Sequence, residues 1–429
     1  MNKFMMFFVW ITICSLIFPA TFEAHADLNS SMPANGAVLS SAPTEVELSF
    51  STMIDGQLYK MDVLNDKGES IVIGKPSINL SRDKLIVSVL QSESGLVTVP
   101  YSVISKDGHP IEGSISFTVE LSEQTVAAMV VADKPTSIEN NQPQMISAST
   151  NESLQKPMGM NEEQDTSEQS TSVLSSFIKS AYLLSLLLLA GTLLWNSQGF
   201  KIPFTVHMQL IHLGLLILFT WSQARNFSRV FEDVPWQDLF LRTEVGQFWT
   251  AALVIAVLGL YLLDRNRYLD VAWVGAILLV KSLNSHAIAT ATPSLTVGLN
   301  FIHLLFAALW LAGLFYTLIL WKKGLAHTFI PTFSKMALLS IIVLTISGSI
   351  YAWLLAPKLS ALWTTEWGYW MIAKLVVVSG IFVVGALIRL HIKKNASLQD
   401  ARFLYFDASL AISIVIIVGV LTQLSPALN

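Results

Sequence analysis

The alternation of apolar and polar positions divides the chain into regions that obey different periods. Between residues 28 and 120 the apolar positions recur every second residue. Glu45 to Phe50, Leu58 to Val63, Lys84 to Val89, Leu96 to Val103 and Ser114 to Val119 each read as a strand with one face toward a core. Turn signals separate them at Asn35-Gly36, Asp55-Gly56, Asn65 to Gly68 and Ser94-Gly95. Short strands at that spacing predict an all-β sandwich of Ig-like size. Residues 122–171 then lose the pattern, being rich in Ser, Gln, Asn, Glu, Thr and Pro, which predicts a disordered polar linker with little to bury. From Val173 onward the apolar runs are long enough to cross a bilayer. They predict an all-α bundle of eight transmembrane helices near 173–195, 204–223, 246–263, 269–290, 298–321, 333–355, 369–390 and 404–424.

The first residues follow a different logic. Lys3, an apolar run from Met5 to Phe18, then Pro19 and small residues have the layout of a secretory signal peptide covering residues 1–24. Two cleavage points fit. Cutting after Ala24 puts His25 at the mature N-terminus, whereas cutting after Ala26 removes it. The expected domains are therefore a signal at 1–24, a sandwich at 25–121, a linker at 122–171 and a membrane domain at 172–429. With the sandwich exported, the inner loops carry Lys201, Arg265, Arg267, Lys322, Lys323, Lys335, Arg389, Lys393, Lys394 and Arg402. The outer ones carry only Arg225, Arg229, Arg242 and Lys358. That asymmetry obeys the positive-inside rule and places the sandwich and the C-terminus outside a plasma membrane.

Composition supports the membrane reading and narrows the chemistry. Hydrophobic residues make up 53% of the chain, charged residues 13%, and mean hydropathy is +0.56, values of a chain dominated by membrane spans. A net charge of −4 without a basic block argues against a nucleic-acid partner. The single cysteine, Cys14, lies in the signal run, so disulfides and thiolate metal sites are excluded from a mature chain. Any metal falls to His, Asp, Met or backbone groups. The sequence shows no nucleophile–base pair, phosphate-cradling glycine loop or ATP motif, and an enzyme is not expected.

The chemistry-bearing residues are few. Asp107 and His109 flank Gly108 between two strands; in extended backbone such i, i+2 side chains share one side and can converge on one ion, although Asp-Gly is also plain turn chemistry. His286 and His303 are expected near the outer ends of the fourth and fifth spans, at similar depth, where paired imidazoles suit copper or zinc. Intramembrane polar groups are costly and default to functional candidates. A heme between these two histidines, in an electron-transfer protein, is the competing reading. Packing suffices for His207 and His212. Lys281 can pair with a buried carboxylate such as Asp407, and Lys374 can snorkel.

Particular motifs then bring in two families. His25-Ala26 at the expected mature start, Ser31 to Gly36, Leu48 to Phe50, Ser105 to His109, Gly113 and Phe117 to Val119 resemble the CopC copper-binding domain. Ser285 to Ala287, His303 with Trp310 to Leu314, Thr243 to Gly246, Phe333 to Ala337 and Thr364 to Gly368 with Lys374 resemble the CopD copper-resistance membrane domain. The order of the two resembles YcnJ-like fusions. The resemblance implies Cu(II) capture by His25, Asp107 and His109, with His286 and His303 handling copper, as Cu(I) or Cu(II), in the membrane domain. It also implies copper uptake and homeostasis, with copper sensing or resistance without transport as the alternative. The expected partners are the copper ion, the lipid bilayer and an external copper chaperone or reductase. The methionine-rich Cu(I) site of the first family is not matched by Met53 and Met61.

Overall fold

A computed structural model describes residues 28–90, 94–106, 108–120, 162–201, 204–231, 234–290, 292–322, 326–355, 359–395 and 402–421. The expected ligands His25 and Asp107, both signal-cleavage points and most of the expected linker lie outside these residues. The N-terminal part is a sandwich of two four-stranded sheets. Its strands are β1 (Leu28–Met32), β2 (Val38–Leu39), β3 (Glu45–Phe50), β4 (Ile54–Met61), β5 (Val72–Ile78), β6 (Lys84–Val89), β7 (Gly95–Ser105) and β8 (Pro110–Val119). One sheet runs β1-β3-β6-β5 and the other β2-β8-β7-β4. The inward residues of the alternating strands meet in one core: Val46, Leu48, Leu85, Val87, Val97, Val99 and Phe117 are buried. Each such side chain contributes about 1.5–3 kcal/mol by leaving water. β7 and β8 form a long antiparallel hairpin, paired from Gly95 with Val119 to Ile104 with Pro110. His109 therefore sits at its closed end.

The helical part comprises α1 (Glu162–Ser197), α2 (Thr205–Val230), α3 (Trp236–Arg242), α4 (Glu244–Leu262), α5 (Arg267–Leu283), α6 (Pro293–Lys322), α7 (Ala326–Leu355), α8 (Ala361–Thr364), α9 (Glu366–Asn395) and α10 (Arg402–Leu421). A 3-10 turn, His286–Ala289, follows α5. Among the described residues, six helices are long and apolar enough to cross a membrane: α1, α2, α4, α6, α7 and α9. Ile211, Ile217, Val254, Leu279, Ile346 and Val383 are exposed. So much bare apolar surface is a liability in water and suits lipid, as in a multi-pass membrane protein.

Two expectations need correction. The count of eight spans is not matched, since α5 has 17 residues and the apolar part of α10 covers only Tyr405–Leu421. The fourth span was expected to run to residue 290, but α5 stops at Leu283. The cause is local. The Lys281 ammonium donates to the Asn284 carbonyl at 3.0 Å, and the Ser285 hydroxyl donates to the Ser282 carbonyl at 2.6 Å. These side chains compete for helix-end backbone groups. Separately, α1 begins at Glu162, inside the stretch expected as linker.

The sandwich rests on the helix ends near Gln223, Val245 and His286. These are the ends whose loops carry few cations, Arg225, Arg229 and Arg242, and not those with Lys201, Arg265 and Arg267. The contact combines apolar and polar parts. Ile104 is wholly buried within the helical core and Leu58 packs against it. The backbone N–H of Glu244, at the start of α4, donates to the Asp55 carboxylate at 3.1 Å. Arg82 pairs with the Glu244 carboxylate at 2.7 Å. That pair is partly exposed and contributes only about 0.5 kcal/mol.

Burial holds the Asp55 carboxyl above the usual carboxylate range, opposed by hydrogen bonds from the Gln57 and Glu244 N–H groups. A carboxyl raised by folding binds more protons folded than unfolded. Its contribution to stability is therefore most favourable at low pH and declines as pH rises from the unfolded value through the raised one. Asp55→Asn is expected to remove this component while its amide oxygen still accepts from Glu244. Thermal unfolding of both proteins between about pH 4 and pH 7 checks it; an unaltered slope in the variant contradicts it.

Candidate metal-transfer site

The β7–β8 turn is shaped by Ser105, a buried residue. Its hydroxyl and its backbone N–H both donate to the His109 carbonyl, at 3.0 and 2.9 Å. The His109 N–H in turn donates to the Ser105 hydroxyl at 3.0 Å. Gly108 donates its N–H to the Ser105 carbonyl at 2.9 Å and has φ +88°, a left-handed conformation that favours glycine. A Cβ at Gly108 would lie 2.6 Å from Val245 Cγ2. Glycine thus satisfies both the turn and the close approach of sandwich to α4. Met53 also belongs to this turn, its carbonyl accepting from the Lys106 N–H at 2.8 Å. Met61 is a core residue.

So held, the His109 imidazole lies face to face with that of His286, with centroids 5.1 Å apart and planes 3° from parallel. The two histidines come from different halves of the chain. They line a small cavity of about 40 Å³ together with Lys179, Gln223, Lys281, Asn284 and Ser285, room for one ion or very few waters. The lysines matter to its chemistry. Ammonium groups raise the cost of settling a cation beside them, so the contact suits passage better than storage. Among the described residues no three of His, Cys, Asp and Glu come together to hold a metal. Two imidazoles alone do not complete a coordination shell, so holding an ion here would need further donors.

His303 stands elsewhere. Its Nδ1 is hydrogen-bonded to the Ser347 hydroxyl at 3.0 Å. It lines a larger cavity, about 260 Å³, with Met371, Lys374 and Gly348. The expected pairing of His286 with His303 is thus corrected: His286 leaves the fourth helix for the 3-10 turn and faces the sandwich. A heme ligated by both finds no facing pair here. The two sites are nonetheless linked. Asn300 Nδ2 donates to the Ser285 hydroxyl at 3.1 Å, and Asn300 and His303 lie three residues apart on one face of α6.

Other expected roles also change. Lys281 does not pair with Asp407; it lines the His109–His286 cavity, whereas Asp407 lines another between α6, α7, α9 and α10. Lys374 faces the His303 cavity. His212 packs between Tyr182 and Trp273, its Nδ1 bonded to the Ser185 hydroxyl at 3.2 Å. Sequence reasoning missed Asn300 and Met371, which are ordinary in isolation. The i, i+3 spacing of Asn300 and His303 was the available signal.

Comparison with known proteins adds to this geometry. The family model for the CopC domain matches residues 28–120, and that for copper resistance protein D matches residues 327–425. The second match covers most of α7 to α10 and leaves His286 and His303 outside it. The copper transport protein CutJ of Bacillus subtilis (strain 168) is 22% identical over 439 aligned positions, covering 96% of this chain and 77% of CutJ. Protein YobA of Escherichia coli (strain K12) is 32% identical over 112 residues, 26% of this chain and 90% of YobA. Among solved structures, CopC from Methylosinus trichosporium OB3b is 23% identical, with a TM-score of 0.22, covering 23% of this chain and 97% of that one.

Proposed function

As a chain that joins a CopC domain to a copper resistance protein D domain and so belongs to the CopC–CopD fusion family, we propose that this protein captures Cu(II) outside the cell on its sandwich and hands it to the membrane domain for uptake. The observation that carries this reading is the stacked contact of His109 with His286 across the two domains. Capture falls to His25, Asp107 and His109, whose nitrogen and oxygen donors suit Cu(II). His286 is the receiving ligand. Asn300 then leads to His303, beside Met371, whose thioether favours the reduced ion. Reduction to Cu(I) calls for an external reductant. The lysines of the transfer cavity disfavour retention there and so promote release. The stretch between β8 and α1, about forty residues, would reach about 35 Å as a coil, which would keep capture and transfer at high effective concentration and let the sandwich undock.

His286→Ala separates capture from delivery. Cu(II) binding by the sandwich is expected to be retained, measured by paramagnetic resonance of the full chain, while copper accumulation in cells at limiting copper falls to that of a deletion strain. Accumulation equal to wild type would rule out delivery through His286. Unchanged accumulation on deletion of the whole chain would instead favour sensing or resistance without transport.

A further inference from the structure

The helical half holds a carboxylate that capture and transfer do not use. Asp407 lies about one and a half turns into α10, is 6% exposed, and its Oδ1 is buried with no hydrogen-bond partner among the described residues. It lines a cavity of about 180 Å³ with Trp310 and Thr317 of α6, Phe333 and Ser334 of α7, and Gly385 of α9. No other described residue lining that cavity is ionisable. Among the described residues lining the His303 cavity, Lys374 alone is charged. Trp310, Ile341, Ile381 and Phe382 line both cavities, so the two adjoin across one layer of apolar side chains. α6 and α9 start on the sandwich side, and α10 starts at the opposite end. The His303 cavity thus lies toward the sandwich and the Asp407 cavity beyond it.

An ionised carboxylate in apolar surroundings with no counter-charge is far costlier than its protonated form. We infer that Asp407 is a proton-exchanging site of the membrane domain: it holds a proton at rest and releases it when a monovalent cation occupies the adjoining His303 cavity. The exchange conserves charge. The carboxyl O–H bond breaks, its proton passes to solvent beyond the start of α10, and the cation beside His303 and Met371 balances the charge of the carboxylate left behind. This rests on the copper reading only for the identity of the cation, Cu(I). It extends that reading by making inward movement proton-linked.

The test is covalent labelling of the full chain in lipid vesicles with dicyclohexylcarbodiimide, an apolar reagent that modifies protonated carboxyls. At about pH 7 the peptide containing Asp407 is expected to be modified, and Asp407→Asn to abolish that adduct. The melting temperature of the variant should stay close to wild type, because an amide mimics the neutral acid. Cu(I) should lower the labelling at least several-fold. An unmodified Asp407 at neutral pH, or labelling that Cu(I) leaves unchanged, overturns the proposal. Metal-free labelling needs no copper capture, so failure at His109 and failure at Asp407 are told apart.

Discussion

His109→Ala should lower the Cu(II) affinity of the protein by more than about 100-fold, since even partners one bond removed from a metal cost 10–100-fold when lost. The expectation follows from how the residue is held. Ser105 fixes its backbone from both sides, so the imidazole reaches its position at little conformational cost. Truncating the side chain removes a nitrogen donor without disturbing that turn. The same substitution removes the stack on His286, and so strikes capture and delivery together. His286→Ala strikes delivery alone. Titration of both variants with Cu(II), followed by absorption and paramagnetic resonance, separates the two. Affinity within a few-fold of wild type in His109→Ala would remove His109 from the capture site.

Gly108→Ala is expected to separate stability from docking. Inside the sandwich the left-handed backbone costs an alanine about 1–2 kcal/mol, a modest drop in melting temperature. In the docked protein the new methyl also meets Val245 Cγ2, 2.6 Å from the ideal Cβ position. Atoms so close must move apart, and the contact includes the buried Ile104 and Val245. The polar contacts that remain, Asp55 with the Glu244 N–H and Arg82 with Glu244, are too weak to hold the domains in register. The sandwich should undock, and copper uptake should fall although Cu(II) capture is retained. Val245→Ala in the same chain frees the space and should restore docking, but it leaves the backbone cost in place. Crosslinking between cysteines placed on β7 and α4 reads docking directly. Equal crosslinking in wild type and Gly108→Ala would refute the close approach, and no rescue by Val245→Ala would refute its cause.

Much of this molecule could be read from its residues in order. Period-two alternation with glycine turns identified the sandwich, because one face of each strand must be apolar wherever a core exists. Long apolar runs identified the bundle, because lipid requires them. Asp107, His109, His286 and His303 stood out because such side chains are costly or unusual where they lie. Local order could not decide which of them meet. His286 was expected to pair with His303 along the membrane, yet it faces His109, because Asn284 and Ser285 end α5 early and turn the chain toward the sandwich. A clash-free approach of Gly108 to Val245 brings together residues 137 positions apart in sequence, which no periodicity encodes. Asp407 likewise looked like a partner for Lys281 until packing placed the two in separate cavities. Sequence alone determined which elements form and which side chains carry chemistry, since burial and lipid act on each segment locally. Tertiary structure decided their partners, because partnership depends on where helices stop and on how closely two backbones can pass.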